Sequence, residues 1–193
     1  MKRLFVSVLV FAAVALGAPL TASAQDTINI FQNVTPIALD ANTMAVEVRK
    51  RPPAEYPHVG HRAPVPLEQA INMWAKSRFA LTGAGENTLR VTVREADIVE
   101  KLLPVKKGIA GWFRKDQSAE YALNVDIAVE LIDANGRQQG TASATTSNST
   151  TVPEGTTDAE KQAVWAEMMK KAFDNLDREL LPRVQQTLVR GAG

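Results

Sequence analysis

Between Ala119 and Asp133 the chain alternates almost without a break. Tyr121, Leu123, Val125, Ile127, Val129 and Leu131 share one parity, while Glu120, Asn124, Asp126 and Glu130 take the other. A period of two over this length fits a β-strand with one face on a core and the other lightly covered or wet. Asp133-Ala134-Asn135-Gly136 follows, and Asn-Gly accepts the positive φ angles of a type I′ hairpin turn. The returning strand, about Arg137 to Thr150, is rich in Thr, Ser and Ala. Such residues suit a strand under a close-packed helix or at a solvated edge. This hairpin needs a second layer to cover its apolar face.

The rest of the chain offers that layer. Met44, Val46 and Val48 alternate with polar neighbours over Thr43 to Arg49, which predicts another half-buried strand. Thr88 to Val99 is a third, with Leu89, Val91 and Val93 on one parity and Ala96 and Ile98 on the other. The switch near Glu95 predicts a bulge. Five prolines in residues 51–66 exclude helix and inner strand there. Leu67 to Leu81 reads as a helix with Leu67, Ile71, Trp74, Arg78 and Leu81 on one stripe, stopped by Gly83-Ala84-Gly85. Thr157 and Glu160 form a capping-box pattern. A last helix then runs to about Leu181 with Trp165, Met168, Met169, Ala172, Phe173, Leu176 and Leu180 on its apolar face. Pro182 should end or kink it. The order β-α-β-β-β-α predicts an α+β two-layer sandwich: an antiparallel sheet of about four strands with two helices on one face.

The first residues predict a destination. Met1-Lys2-Arg3 is basic, Leu4 to Leu16 is apolar apart from Ser7, and Ala22-Ser23-Ala24 offers a signal-peptidase site. The apolar run is shorter than the roughly 20 residues that span a bilayer, which favours a cleaved signal peptide over an anchor. Residues 1–24 are therefore expected to leave after Ala24, and 25–193 to form one periplasmic domain. Loss of Lys2 and Arg3 leaves 20 basic against 21 acidic residues. Such a balance provides no global field for nucleic acid. Cysteine is absent, which excludes disulfides, thiolate metal sites and a cysteine nucleophile. It also leaves no residue behind the leader to carry a lipid.

The chemistry-bearing residues are few. The most distinctive segment lies in residues 104–118, the expected tip of a long hairpin. Lys106, Lys107, Arg114 and Lys115 flank Ile109, Trp112 and Phe113, with Gly108 and Gly111 between. Cations beside aromatics suit a groove on a partner protein or an anionic membrane surface. Equally, the aromatics could tuck back onto the domain while the cations keep the loop soluble. Glu55, His58 and His61 carry a spacing of three, but the prolines around them forbid the helix that would make it a metal face. No metal site or cofactor is expected, and the histidines should be solvated. Glu120, Asp126 and Glu130 share a strand face, yet without a nucleophile elbow or a placed histidine they read as a solvent face. No catalytic set is expected. Trp74, Trp165 and Met168 recur among aliphatics at helical spacing, which makes them core residues or, alternatively, the lining of a small-ligand or lipid cleft.

The strand Leu89-Arg90-Val91-Thr92-Val93, the long strand ending Leu131-Ile132-Asp133-Ala134-Asn135-Gly136, the small-residue strand and the C-terminal helix together resemble small envelope proteins of Gram-negative bacteria. The likeness is to PqiC-like ABC-transport auxiliary lipoproteins and YajG-like lipoproteins, and more distantly to the lipopolysaccharide-assembly protein LptE. It implies a non-enzymatic envelope accessory protein that binds another envelope component, in lipid transport or outer-membrane assembly. Those families are usually lipid-anchored, and here the cysteine is missing.

Overall fold

A computed structural model describes residues 31, 35–83, 85–104 and 117–189; the expected signal peptide lies outside them. The long strands pair as their apolar parity demands. β4 (Thr88–Leu102), β5 (Gln117–Ile132) and β6 (Gln138–Pro153) form an antiparallel meander, and β2 (Thr43–Val48) adds to its β4 edge. Between β2 and β4 run helix α1 (Leu67–Arg78) and the short strand β3 (Phe79–Leu81), which pairs with β1 (Ile37–Leu39) in a separate ribbon. Helix α2 (Asp158–Val184) closes the chain. Both helices bury apolar residues in one core with the sheet. The expected α+β two-layer architecture is therefore present.

Its sheet is mixed instead of wholly antiparallel. β2 and β4 run parallel, with Met44, Val46 and Val48 level with Leu89, Val91 and Val93. The connection between them contains α1, and a helical crossover returns a strand in the same direction. The alternation of Thr43 to Arg49 carries no information on direction, so the expected antiparallel pairing of this strand had no local signal behind it.

Three local expectations are also adjusted. Helix α1 stops at Arg78, three residues early, because Phe79, Ala80 and Leu81 instead pair with Ile37, Ala38 and Leu39. Pro182 does not end α2, which continues to Val184 and then opens into a wide π-type turn, Gln185–Val189. The hairpin at Asp133 is not the two-residue type. Gly136 N–H donates to Asp133 O, and Asp133 N–H to Arg137 O, enclosing three residues. Gly136 takes the left-handed position with φ +78°. Asp133 fixes this turn: its carboxylate accepts from the backbone of Asn135 and Arg137 and from the Arg137 side chain. Those donors, led by the Arg137 backbone, hold its carboxyl below the usual carboxylate range. Gly136→Ala should cost about 1 kcal/mol, because an L side chain is strained at that φ. A urea midpoint equal to that of the parent chain would contradict this.

The bulge is where parity placed it, between Val93 and Glu95. It keeps Leu89, Val91 and Val93 in the core and then turns Ala96 and Ile98 to the same side. Small residues on β6 let the turn after α2 approach closely. A Cβ on Gly140 would stand 2.7 Å from Leu188 and 2.9 Å from the Thr187 carbonyl. The capping box at the start of α2 is formed, with Thr157 Oγ1 accepting from Glu160 N–H and the Glu160 carboxylate from Thr157 N–H.

Candidate functional site

The basic-aromatic residues Lys106, Lys107, Ile109, Trp112, Phe113, Arg114 and Lys115 lie outside the described residues. The platform from which they spring is described. Leu102 is level with Ala119, and Leu103 N–H donates to Ser118 O at 2.9 Å, so the segment leaves one end of the β4–β5 hairpin. Two large apolar side chains stand exposed at that end: Leu102 at 65% and Tyr56 at 60%. Tyr56 is brought there by the proline-rich segment. Glu100 N–H donates to Pro57 O, and His58 bridges Val99 antiparallel, which sets Tyr56 beside the end of β4.

That proline-rich segment is a strap along the β4 edge. β2 covers β4 up to Val93; beyond the bulge, Pro57 to Val59 take over, with Val59 N–H donating to Ile98 O at 2.8 Å. Under the strap lies a cleft of about 160 Å³ bounded by Val48, Pro52, His58, Pro66, Leu67 and Ala96. His58 is not solvated as expected. Its Nδ1 is hydrogen-bonded to Asp97 Oδ2, and both side chains are largely covered. The pairing pins the strap to the sheet and holds the imidazole in one orientation. Among the described residues no hydroxyl bonds to the ring. His61 also lines the cleft, but no three metal-ligating groups converge among the described residues. Sequence reasoning overlooked Asp97. The bulge that turns Ala96 inward also sets Asp97 beside the strap, so the parity switch carried that signal.

Arg51 grips Glu68 at the mouth of the cleft through two bonds of 2.9 and 2.8 Å. That hydrogen bond holds the Glu68 carboxyl below its ordinary range. A depressed folded pKa gives stability that is present above the unfolded value and lost as pH falls through the folded one. Both side chains are exposed and screened by solvent, so Arg51→Ala should cost little stability at neutral pH. The difference from the parent chain should vanish on acidification below the Glu68 titration, measured by urea unfolding across pH. A deficit that persists in acid would mean Arg51 acts through packing.

The remaining sequence candidates are dispersed. Glu130 accepts from Arg90 Nε at 2.9 Å, and Asp126 faces Arg94 at 3.5 Å, both on the helix-free face of the sheet. Glu120 is level with Lys101. Each carboxylate thus sits beside a cation. Trp74, Trp165 and Met168 are buried between the layers. Trp74 Nε1 donates to Asp177 at 2.8 Å and its ring stacks on Phe173, while Trp165 meets Tyr121 edge-on at 5.3 Å. Tyr121 donates its hydroxyl to Glu100, and burial pushes its phenol pKa well above the ordinary value.

A family model described as LptE, lipopolysaccharide-assembly, matches residues 45–180, from β2 to near the end of α2. No curated protein sequence matches the chain. Among solved structures, a minor lipoprotein from Acinetobacter baumannii is similar at 16% identity and a TM-score of 0.37, over 77% of this chain and 96% of that one. A Xanthomonas campestris protein of the DUF330 family is similar at 14% identity and a TM-score of 0.35, over 81% and 88%. Rare lipoprotein B from Shewanella oneidensis is similar at 13% identity and a TM-score of 0.32, over 71% and 92%.

Proposed function

This chain belongs to the LptE lipopolysaccharide-assembly family, and from that premise we propose that it is a non-enzymatic accessory protein of the outer-membrane assembly machinery. The family match over residues 45–180 carries the reading. In it, the chain is exported by a leader cleaved after Ala24 and works in the periplasm. It binds a protein component of the envelope through the end of the sheet from which residues 105–116 spring. The exposed Tyr56 and Leu102 at that end supply apolar contact area, and the sequence adds Lys106, Lys107, Arg114 and Lys115 near Trp112 and Phe113.

Photocrosslinking in intact cells from a photoreactive residue at position 112 tests this. A discrete protein adduct is expected. Adducts to lipid alone would replace the protein partner with a membrane surface, and no adduct from a folded chain would overturn the reading. Alanine at both Trp112 and Phe113 should weaken the complex at least about tenfold, since aromatic anchors dominate such interfaces. The melting temperature should stay unchanged. A large loss of stability would instead place the two rings in the core.

A further inference from the structure

The main sheet has two edge strands, β2 and β6. β2 is short, carries Glu47, and is continued along β4 by the proline-rich strap. β6 is sixteen residues long, and among the described residues no strand pairs with its outer side. Residues Gln138 to Pro153 contain no charge, and their only proline is the last residue. Edges that stay single are usually guarded by charge, proline, a bulge or a covering element.

The orientation of the free groups follows from one contact. Ser143 O accepts from Arg183 Nη1 at 2.6 Å, so the backbone groups of Ser143 point away from β5. The ladder carries no register shift from Ala142 to Val152, and alternate residues of an antiparallel strand point the same way. Thr145, Ser147, Ser149 and Thr151 therefore present their N–H and C=O groups outward. Among the described residues none of these groups has a hydrogen-bond partner, and the side chains are exposed.

We infer that the edge of β6 from Thr145 to Thr151 is a docking site for one extended strand of an envelope partner. Helix α2 defines what fits. Asn148 Nδ2 bonds to Met168 O, Asn175 reaches Thr146, and Arg183 reaches the edge itself, so α2 lies over β6 along its length. A second copy paired β6 to β6 would bring its own α2 onto the same face, against the first. A lone strand avoids that conflict. Its residues on the helix side must be small, and those on the other side meet only the hydroxyls of Thr145, Ser147, Ser149 and Thr151. With no charge in β6, recognition runs through backbone bonds, and the contact is insensitive to salt.

This inference rests on the proposed accessory role, and one experiment separates the two. A photoreactive residue at position 149 is compared in intact cells with one at position 112. Adducts to the same envelope protein are expected from both. Ser147→Pro removes an outward N–H that the monomer does not use, in a position where proline is tolerated. It should leave the melting temperature close to that of the parent chain. It should lower the adduct yield from position 149 about tenfold, as loss of ladder bonds predicts. If Ser147→Pro fails to fold, Ser149→Pro read from position 147 serves instead. An adduct at 112 with none at 149, a 149 adduct that survives the proline, or a 149 adduct to another copy of this chain would each overturn the edge site and leave the accessory role standing. Absence of adducts at both positions would remove both.

Discussion

Replacing Asp177 with alanine should cost about 3–5 kcal/mol of folding stability, because it leaves a buried charge without its partner. Arg78 is 3% exposed and lies at the end of α1. Its guanidinium meets the Asp177 carboxylate of α2 through Nε at 3.0 and 2.9 Å and through Nη2 at 2.8 Å. Trp74 Nε1 donates to the same carboxylate, and Arg78 Nη1 donates to Phe31 O at 3.0 Å. One carboxylate therefore joins the two helices and satisfies two buried donors. For a chain of this size a loss of that magnitude lowers the melting temperature on the order of 10 °C. Asp177→Asn keeps an acceptor for Trp74 and should lose less. The double change Arg78→Met with Asp177→Leu should also lose less than Asp177→Ala, since no orphaned charge remains. Urea unfolding of the three variants measures this; equal losses in all three would show that the charge itself contributes little.

Trp165→Ala should cost about 3–5 kcal/mol as well, through the cavity left by a large buried ring. Trp165 is 1% exposed, packs edge-on against Tyr121, and carries the Arg62 guanidinium over its face at 5.8 Å. Its indole N–H is buried and has no hydrogen-bond partner among the described residues. Trp165→Phe removes that unsatisfied donor while keeping a ring, so it should cost far less than the alanine change. Purified Trp165→Ala that unfolds at the parent urea midpoint would show that the ring fills no essential space. It would also strengthen the view that Trp165, Trp74 and Met168 border a ligand cleft.

The strands and helices were legible because their signals are local. The six apolar side chains of β5 from Tyr121 to Leu131, the parity switch at Glu95 and the Thr157–Glu160 box are each written within a few residues, and each appears in the fold as read. The failures share a cause: each depended on a distant partner. Phe79 to Leu81 continues the helical stripe of α1, yet pairs with Ile37 to Leu39. Nothing near His58 announces Asp97, which arrives from β4 along the strap. Arg78 interrupts an apolar stripe and reads as a surface-reaching side chain until Asp177 meets it from another helix.

The sequence alone therefore determined the type and order of the four main-sheet strands and the two helices, the face each one buries and the absence of thiol chemistry, because periodicity and composition are properties of the chain itself. Only the tertiary structure decided the parallel pairing of β2, the strap that continues it along β4, the buried ion pair between the helices and the β6 edge left unpaired among the described residues. Those features are fixed by which strand lies beside which, and hydrogen bonds and ion pairs between residues far apart in the chain form only once the layers have packed.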